Sequence, residues 1–146
     1  MAADAWVLHD KAKEYMGDAT IDLDADTFKF ALFLSTSNVA TTSIDGIAAA
    51  TNEVTGNGYA QITATSVTWT ESGGTVTFDA ADPVWTASGG SIVARFAVIY
   101  DDTVTTPVAD PIIAHCLLDN TPADVTATDG NTLTIALSAN GIFQSS

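Results

Sequence analysis

The sequence is poor in basic residues: four Lys or Arg stand against 18 Asp or Glu, which gives a formal net charge of -14. Proteins that bind nucleic acid or anionic membranes cluster Lys and Arg to neutralise phosphates. No such cluster can be assembled from Lys11, Lys13, Lys29 and Arg95. We therefore expect no nucleic-acid partner and no membrane partner, and a cationic or neutral protein as the partner instead.

Cysteine and long apolar runs are also scarce. Cys116 is the only cysteine, so an intrachain disulfide is excluded. The longest apolar runs, such as FALFL and FAVIY, are far shorter than the roughly 20 residues of a membrane-spanning helix. The start, MAADAWVLHDKAKEYMG, lacks the basic and apolar regions of a signal peptide. These absences predict a soluble protein that stays where it is made until the cell lyses.

What the sequence does contain predicts one folded β domain. Hydrophobic residues make up 47% of the 146, and the mean hydropathy is +0.23, so a single core is expected. Helical spacing occurs once, over residues 3–16, where Asp4 is placed to cap a helix and Gly17 to end it. We therefore predict an N-terminal helix or arm over residues 1–17 and a β domain over residues 18–146.

Alternating apolar residues, Thr and aromatics follow in short runs separated by turn residues. TFKFALFLS alternates clearly, and the Gly pair in ESGG predicts a hairpin between residues 66–70 and 75–79. SIVARFAVIYDD is apolar on both faces, which is typical of a central strand. About eight strands result, and their spacing predicts an all-β fold: a single antiparallel β-sandwich, jelly-roll-like, with the short helix at its start.

The stretch TNEVTGNGYAQ, residues 51–61, invites comparison with a phosphate-binding loop. Such a loop leads into a helix and is followed by Lys, whereas this one leads into YAQITATSV. Gly56, Asn57 and Gly58 each tolerate a positive φ, so the stretch is predicted to be a corner that reverses the chain.

The segment DLDAD places Asp22, Asp24 and Asp26 at the opening spacing of a calcium loop. Thr27 and Phe33 occupy the positions where that loop needs Gly and Glu, so the EF-hand pattern breaks. An exposed turn or strand with alternate carboxylates is the preferred interpretation. The alternative is a calcium site formed by these residues or by a second acidic set: Asp79, Asp82, Asp101 and Asp102.

No residue pattern points to catalysis. His115 and Cys116 are adjacent on a predicted strand, so their side chains face opposite ways and cannot form a nucleophile–base pair. His9 has no motif around it. No hydrolase or metalloprotease motif occurs, and nothing singles out a pair of acids for glycoside hydrolysis. We predict a protein that is not an enzyme and has no cofactor. Trp6, Trp69 and Trp85 fit core or subunit contacts better than a sugar-binding platform.

The order of several segments resembles a family of small virion structural proteins of tailed bacteriophages. The most specific are NEV-GNGY, FDA-DP-W, A-FAVIYDD and the ending ANGIF, and the resemblance covers nearly the whole chain. This chain differs from the family pattern in two places. The family has TGY in the corner, whereas this chain has Asn57 before Gly58 and Tyr59. The family has charged residues after the long strand, whereas this chain has DDTVTTPVADP. The resemblance implies a head decoration or cement protein on the capsid surface that locks major capsid proteins together, with a tail or fibre component that binds host glycans as the alternative.

Under this interpretation the partners are the major capsid protein and further copies of the chain, as a dimer or trimer. The large apolar groups near both termini are the candidate contacts, together with the tip of the corner: Trp6, Leu8, Tyr15, Asn57, Tyr59, Ile142 and Phe143. For the terminal residues the alternative is that they close the domain's own core.

Overall fold

The computed structural model describes residues 3–146, and every structural statement below refers to them. The chain forms one α-helix, α1 (Asp10–Gly17), and a short 3-10 helix at Ile47–Ala49. The rest of the regular structure is β: β1 (Val7–Leu8), β2 (Phe28–Phe33), β3 (Ile62–Thr63), β4 (Thr68–Ser72), β5 (Thr75–Asp79), β6 (Val84–Thr86), β7 (Ile92–Ala94), β8 (Phe96–Asp101), β9 (Ile112–Leu117), β10 (Val125–Ala127), β11 (Thr132–Thr134) and β12 (Phe143–Ser145). The all-β class is confirmed, with twelve short strands where the spacing predicted about eight.

A five-stranded antiparallel sheet in the order β1-β9-β8-β2-β3 forms one layer. β8 lies in its centre, and Val98 is in register with Ala31 of β2 and His115 of β9. The central position predicted for this strand is confirmed. The long run is not one strand, however, because Arg95 separates β8 from β7, and β7 pairs with β10 in another sheet.

The second layer consists of three small antiparallel sheets, β12-β5-β4, β10-β7 and β11-β6. The predicted hairpin is confirmed between β4 and β5, where Gly73 and Gly74 turn the chain with φ of 62° and 89°. Apolar side chains of this layer, such as Phe78 and Trp85, share one core with the inward face of β2. The two layers give a sandwich-like architecture.

The opposite face of the five-stranded sheet is also buried. Its apolar side chains are covered by residues 34–52, an irregular segment that contributes Val39, Ile44 and Ile47. We call this the covered face: Ala31, Phe33, Val98, Tyr100 and Ile112. The sequence predicted burial on one face of β2, and the structure shows it on both, since Phe28, Phe30 and Leu32 belong to the main core.

The N-terminal segment differs from its prediction. Residues 7–8 form a strand in register with His115 and Ala114 of β9, and the helix begins only at Asp10. Asp4 does not cap the helix, which begins six residues later; its backbone N–H instead donates to the carbonyl of Leu117. Gly17 is the last helical residue. Pairing with the sheet edge outweighs the helical spacing of residues 3–9. The predicted arm also included residues 1 and 2, which lie outside the described residues.

The corner at residues 51–61 is confirmed as a structural turn. Gly56, Asn57 and Gly58 have φ of 74°, 55° and 81°. The chain extends for three residues after Gly58 before β3 begins at Ile62, so Tyr59 does not start a strand as predicted. A Cβ at Gly58 would come within 2.7 Å of the carbonyl oxygen of Thr86, so the corner packs closely against the end of β6.

Candidate functional site

Four of the seven candidate contact residues meet where the two layers stay open. β1 is an edge strand of the five-stranded sheet, and β12 is an edge strand of the β12-β5-β4 sheet. The two strands border a pair of neighbouring grooves that share Phe143 and Gln144 in their linings. We call this region the seam, defined by Trp6, Leu8, Ile142 and Phe143.

The larger groove of the seam has a volume of about 620 Å³ and lies beside α1. Its apolar lining comes from Leu8, Met16 and Leu23 on one side and from Trp69 and Phe143 on the other. Trp69 and Phe143 contact each other with ring centroids 5.8 Å apart. Lys13, Asp22 and Gln144 add polar groups to the lining. We call it the helix groove.

The second groove has a volume of about 540 Å³ and lies beside the residues that precede β1. Trp6, Ile135 and Ile142 contribute apolar surface, and Asp4 contributes a carboxylate. Cys116 reaches this lining from β9 although it is almost wholly buried. We call it the terminal groove. The seam therefore offers two adjacent apolar depressions between two strand edges.

The other candidate contacts are engaged by the chain itself. Tyr15 is buried in the main core, and so is Ile142 of the seam, as the alternative for the terminal residues stated. Tyr59 donates its hydroxyl to Glu53 at 2.6 Å and accepts the N–H of Leu32 at 2.9 Å, and burial raises its pKa. Asn57 is exposed, and its amide donates to the carbonyl of Ser91 at 2.8 Å.

The three tryptophans are placed largely as the sequence suggested. Trp85 is buried in the main core, and its indole N–H donates to the carbonyl of Ala60 at 2.8 Å. Trp6 packs against Phe30, with ring centroids 6.1 Å apart. Trp69 is half-buried and borders the helix groove. Trp6 and Trp69 are therefore the two that combine core contacts with access to the seam.

All four basic side chains are already paired with carboxylates. Lys11 lies 2.7 Å from Glu14, and Lys13 lies 3.5 Å from Asp10. Lys29 lies 2.9 Å from Asp102, and Arg95 lies 2.9 Å from Asp124. Subtracting these four from the 18 acidic residues leaves 14 that pair with no Lys or Arg among residues 3–146. Each Lys and Arg of one copy is therefore already engaged by an acid of the same copy.

A buried histidine pair was missed by the sequence reasoning. Nδ1 of His9 donates to the carbonyl of Ile44 at 2.8 Å, and Nε2 of His9 lies 3.0 Å from Nδ1 of His115. Since a carbonyl only accepts, Nδ1 of His9 carries a hydrogen, and in the neutral pair Nδ1–H of His115 donates to His9. Burial lowers the pKa of both rings, that of His115 to about 4. The pair ties the strand before α1 to the 34–52 segment.

The prediction about His115 and Cys116 is confirmed: they lie on opposite faces of β9. Cys116 belongs to the main core, whereas His115 is on the same face as Val98. Burial raises the pKa of the Cys116 thiol to about 12, so the thiolate is scarce at neutral pH. No sequence signal links His9 to His115, because 106 residues separate them.

The acidic DLDAD segment forms an exposed turn in which the carboxylates accept backbone N–H groups. Asp22 accepts from Asp24 at 3.0 Å, and Asp26 accepts from Asp22 at 2.7 Å. Among residues 3–146 no three acidic, His or Cys side chains are grouped as metal ligands. The exposed turn expected for this segment is confirmed by its backbone and its hydrogen bonds.

Asp101, at the end of β8, is the buried acid nearest to that turn. Oδ1 accepts the N–H groups of Thr103 and Val104, whereas Oδ2 is buried and has no hydrogen-bond donor among the described residues. Burial raises the pKa of Asp101 to about 7, and the facing Asp26 carboxyl adds to the effect. Two carboxylates can only accept, so a proton held by one of them supplies the missing donor.

Comparison of the chain with protein-family models, with curated proteins and with solved structures found no match in any of the three. Within residues 3–146 no helix has both the length and the hydropathy that crossing a membrane requires.

Proposed function

We propose that the chain is a non-enzymatic structural protein of a tailed-bacteriophage virion, a decoration or cement protein that stabilises the shell of major capsid proteins. The observation that carries the proposal is the seam, where Trp6, Leu8, Ile142 and Phe143 surround two adjoining grooves. A decoration protein needs a rigid body that presents an apolar contact surface. The sequence resemblance supplies the virion context.

The body that presents the seam is well suited to repeated attachment. The five-stranded sheet forms one layer of the sandwich, and the irregular 34–52 segment is tied to it by the hydrogen bonds from His9 to the carbonyl of Ile44 and from the N–H of Ile112 to the carbonyl of Asp45. Many identical modest contacts on a symmetric shell add up to firm net attachment. The 14 uncompensated carboxylates keep unattached copies apart through mutual repulsion.

The copy number of the chain in purified particles tests this proposal. Quantitative mass spectrometry would compare the chain with the major shell protein of particles from the phage that encodes it. A decoration protein is expected at a copy number comparable to that of the shell subunit. A handful of copies per particle, or none, would contradict the proposal.

The helix groove favours a second candidate, a tail or fibre component that binds host glycans. Trp69 borders this groove together with Lys13, Asp22 and Gln144, and an aromatic face with polar neighbours suits a sugar ring. Titration of tryptophan fluorescence with host surface polysaccharide separates the candidates. A saturable change that is lost in Trp69→Phe supports glycan binding, whereas a decoration protein should show none.

A further inference from the structure

The seam has unpaired strand edges as well as apolar grooves. β1 pairs only with β9, and β12 pairs only with β5, so each is the terminal strand of its sheet. Terminal strands present backbone N–H and C=O groups that can pair with another extended chain. β12 borders both grooves, β1 borders the helix groove through Leu8, and residues 3–6, just before β1, line the terminal groove. An extended segment lying in the seam could therefore use backbone hydrogen bonds and apolar contacts together.

The grooves suit a segment with alternating side chains. Every second side chain of a strand points to the same face, at a spacing of about 7 Å. One face of an added strand can then fill the helix and terminal grooves on either side of Phe143, which lines both. The other face remains outside the grooves, on the side where the exposed carboxylates of Asp4 and Asp22 border the linings.

Charge decides between a second copy and a different partner. Every Lys and Arg of the chain is already paired with a carboxylate. Asp4 and Asp22, which line the grooves, belong to none of these pairs, whereas Lys13, the one basic residue of the linings, is paired with Asp10. A second copy would bring further acidic groups, and the Lys and Arg of its residues 3–146 are paired within that copy. A segment that carries Lys or Arg complements the seam, because opposite charges attract and like charges repel.

We propose that the seam binds an extended segment of a cationic partner, in which apolar residues alternate with Lys or Arg, as an added β-strand. The proposal rests on the proposed function, for which it names the chemistry of the shell segment that is bound. Peptide binding is measured on the isolated full chain, and copy number is measured in particles. Either measurement can therefore contradict its own proposal while the other supports its own.

The test uses three labelled peptides of equal length and fluorescence anisotropy. VKVKVKV alternates apolar and basic residues, VVVVKKK has the same composition in two blocks, and VEVEVEV alternates with acidic residues. We expect saturable binding of VKVKVKV that is at least about tenfold tighter than binding of the other two. Equal binding of both basic peptides would show attraction by net charge only and would overturn the proposal.

Three variants locate the binding site. Phe143→Asp places a carboxylate between the grooves and should abolish saturable binding by removing apolar contact. Gln144→Arg changes an exposed residue of both groove linings with little loss of packing, and it should weaken VKVKVKV binding about tenfold through charge repulsion. Val84→Asp, at an exposed position of β6 outside both linings, is the matched control and should leave binding unchanged.

The mass of the chain in solution completes the test. Light scattering should give a monomer for the unmodified chain and for Gln144→Arg. A dimer that Gln144→Arg disrupts would identify a second copy as the occupant of the seam and overturn the proposal. Unchanged peptide binding in folded Gln144→Arg would overturn it as well.

Discussion

The covered face and the seam both carry large apolar side chains, but only the covered face is closed by the chain itself. Residues 34–52 lie over Ala31, Phe33 and Val98 and are held there by long-range hydrogen bonds such as His9 to Ile44. At the seam, β1 and β12 belong to different sheets and leave grooves between them. An irregular segment of 19 positions, 34–52, covers one surface, whereas no segment of residues 3–146 fills the grooves of the other.

The largest expected difference between the two regions comes from removing one aromatic ring from each. Phe33 is 1% exposed on the covered face, so Phe33→Ala should lower the free energy of unfolding by about 3–5 kcal/mol through lost burial and a cavity. Phe143 is only partly buried, so Phe143→Ala should cost about 1–2 kcal/mol. Urea unfolding of both variants measures the difference, and equal losses would contradict the contrast between a closed and an open surface.

The ionisation of Asp101 affects the segment of residues 21–26, which forms part of the helix groove. Ile21 and Leu23 line this groove and lie just before Asp26, which faces Asp101. The folded-state pKa of about 7 exceeds the unfolded value of 3.8. The folded state therefore holds the extra proton, and stability falls as the pH rises from 3.8 through 7 and is constant above that.

Asp101→Asn removes this charge and keeps a donor for Asp26. The variant should be more stable than the unmodified chain at pH 8, by roughly 2–4 kcal/mol, and the gain should vanish near pH 4. Thermal unfolding at both pH values measures it, with Asp102→Asn, at the half-buried partner of Lys29, as the control. A less stable Asp101→Asn at pH 8, or stabilisation of the unmodified chain by calcium, would instead indicate that a cation occupies the pair.

The histidine pair should loosen the covered face in acid. Burial lowers the folded-state pKa of His115 to about 4, whereas an unfolded His titrates near 6.5. The unfolded chain binds more protons between these values, so stability falls as the pH drops from 6.5 to about 4 and levels off below. A shift of this size is worth about 3 kcal/mol. Asp10 and Asp45 lie near His9 and favour its protonated form, which moderates the loss.

His115→Gln provides the comparison, because its amide can still donate to His9. Its unfolding free energy should decline less between pH 7 and pH 4 than that of the unmodified chain, while the carboxylates contribute equally to both. Hydrogen exchange at pH 5 should show opening of residues 38–45 before any change at the seam. Parallel pH profiles for the two chains would rule out the pair as the cause.

The smallest effect concerns the turn that leads into β12. Gly141 has φ of 65°, and a Cβ there would collide with the carbonyl oxygen of Phe78. Gly73 has a similar φ of 62° but nothing within 4 Å. Both Gly→Ala changes carry a backbone cost of about 1 kcal/mol, and Gly141→Ala should cost about 1 kcal/mol more because β12 must shift. Chemical unfolding compares the two, and equal costs would mean that β12 is not held close to β5.

Sequence reasoning predicted features that depend on neighbouring residues. The β4–β5 hairpin, the corner at Gly56–Gly58 and the opposite orientation of His115 and Cys116 follow from turn chemistry and strand alternation. It did not place β1, because the pairing of Val7 with His115 joins residues more than a hundred positions apart. The His9–His115 pair and the buried Oδ2 of Asp101 were not predicted either, because they too depend on residues that are far apart in the sequence. The apolar termini could be selected from the sequence, but their meeting at one seam required the topology.

The most direct test of the seam as the docking surface is hydrogen exchange of the chain, free and bound to shells assembled from the major capsid protein. We expect binding to slow exchange at residues 3–8 and 142–145 and to leave exchange unchanged in the β6–β11 pair, residues 84–86 and 132–134. Protection centred on that pair of strands or on the corner at residues 51–61, with the seam unchanged, would contradict this expectation.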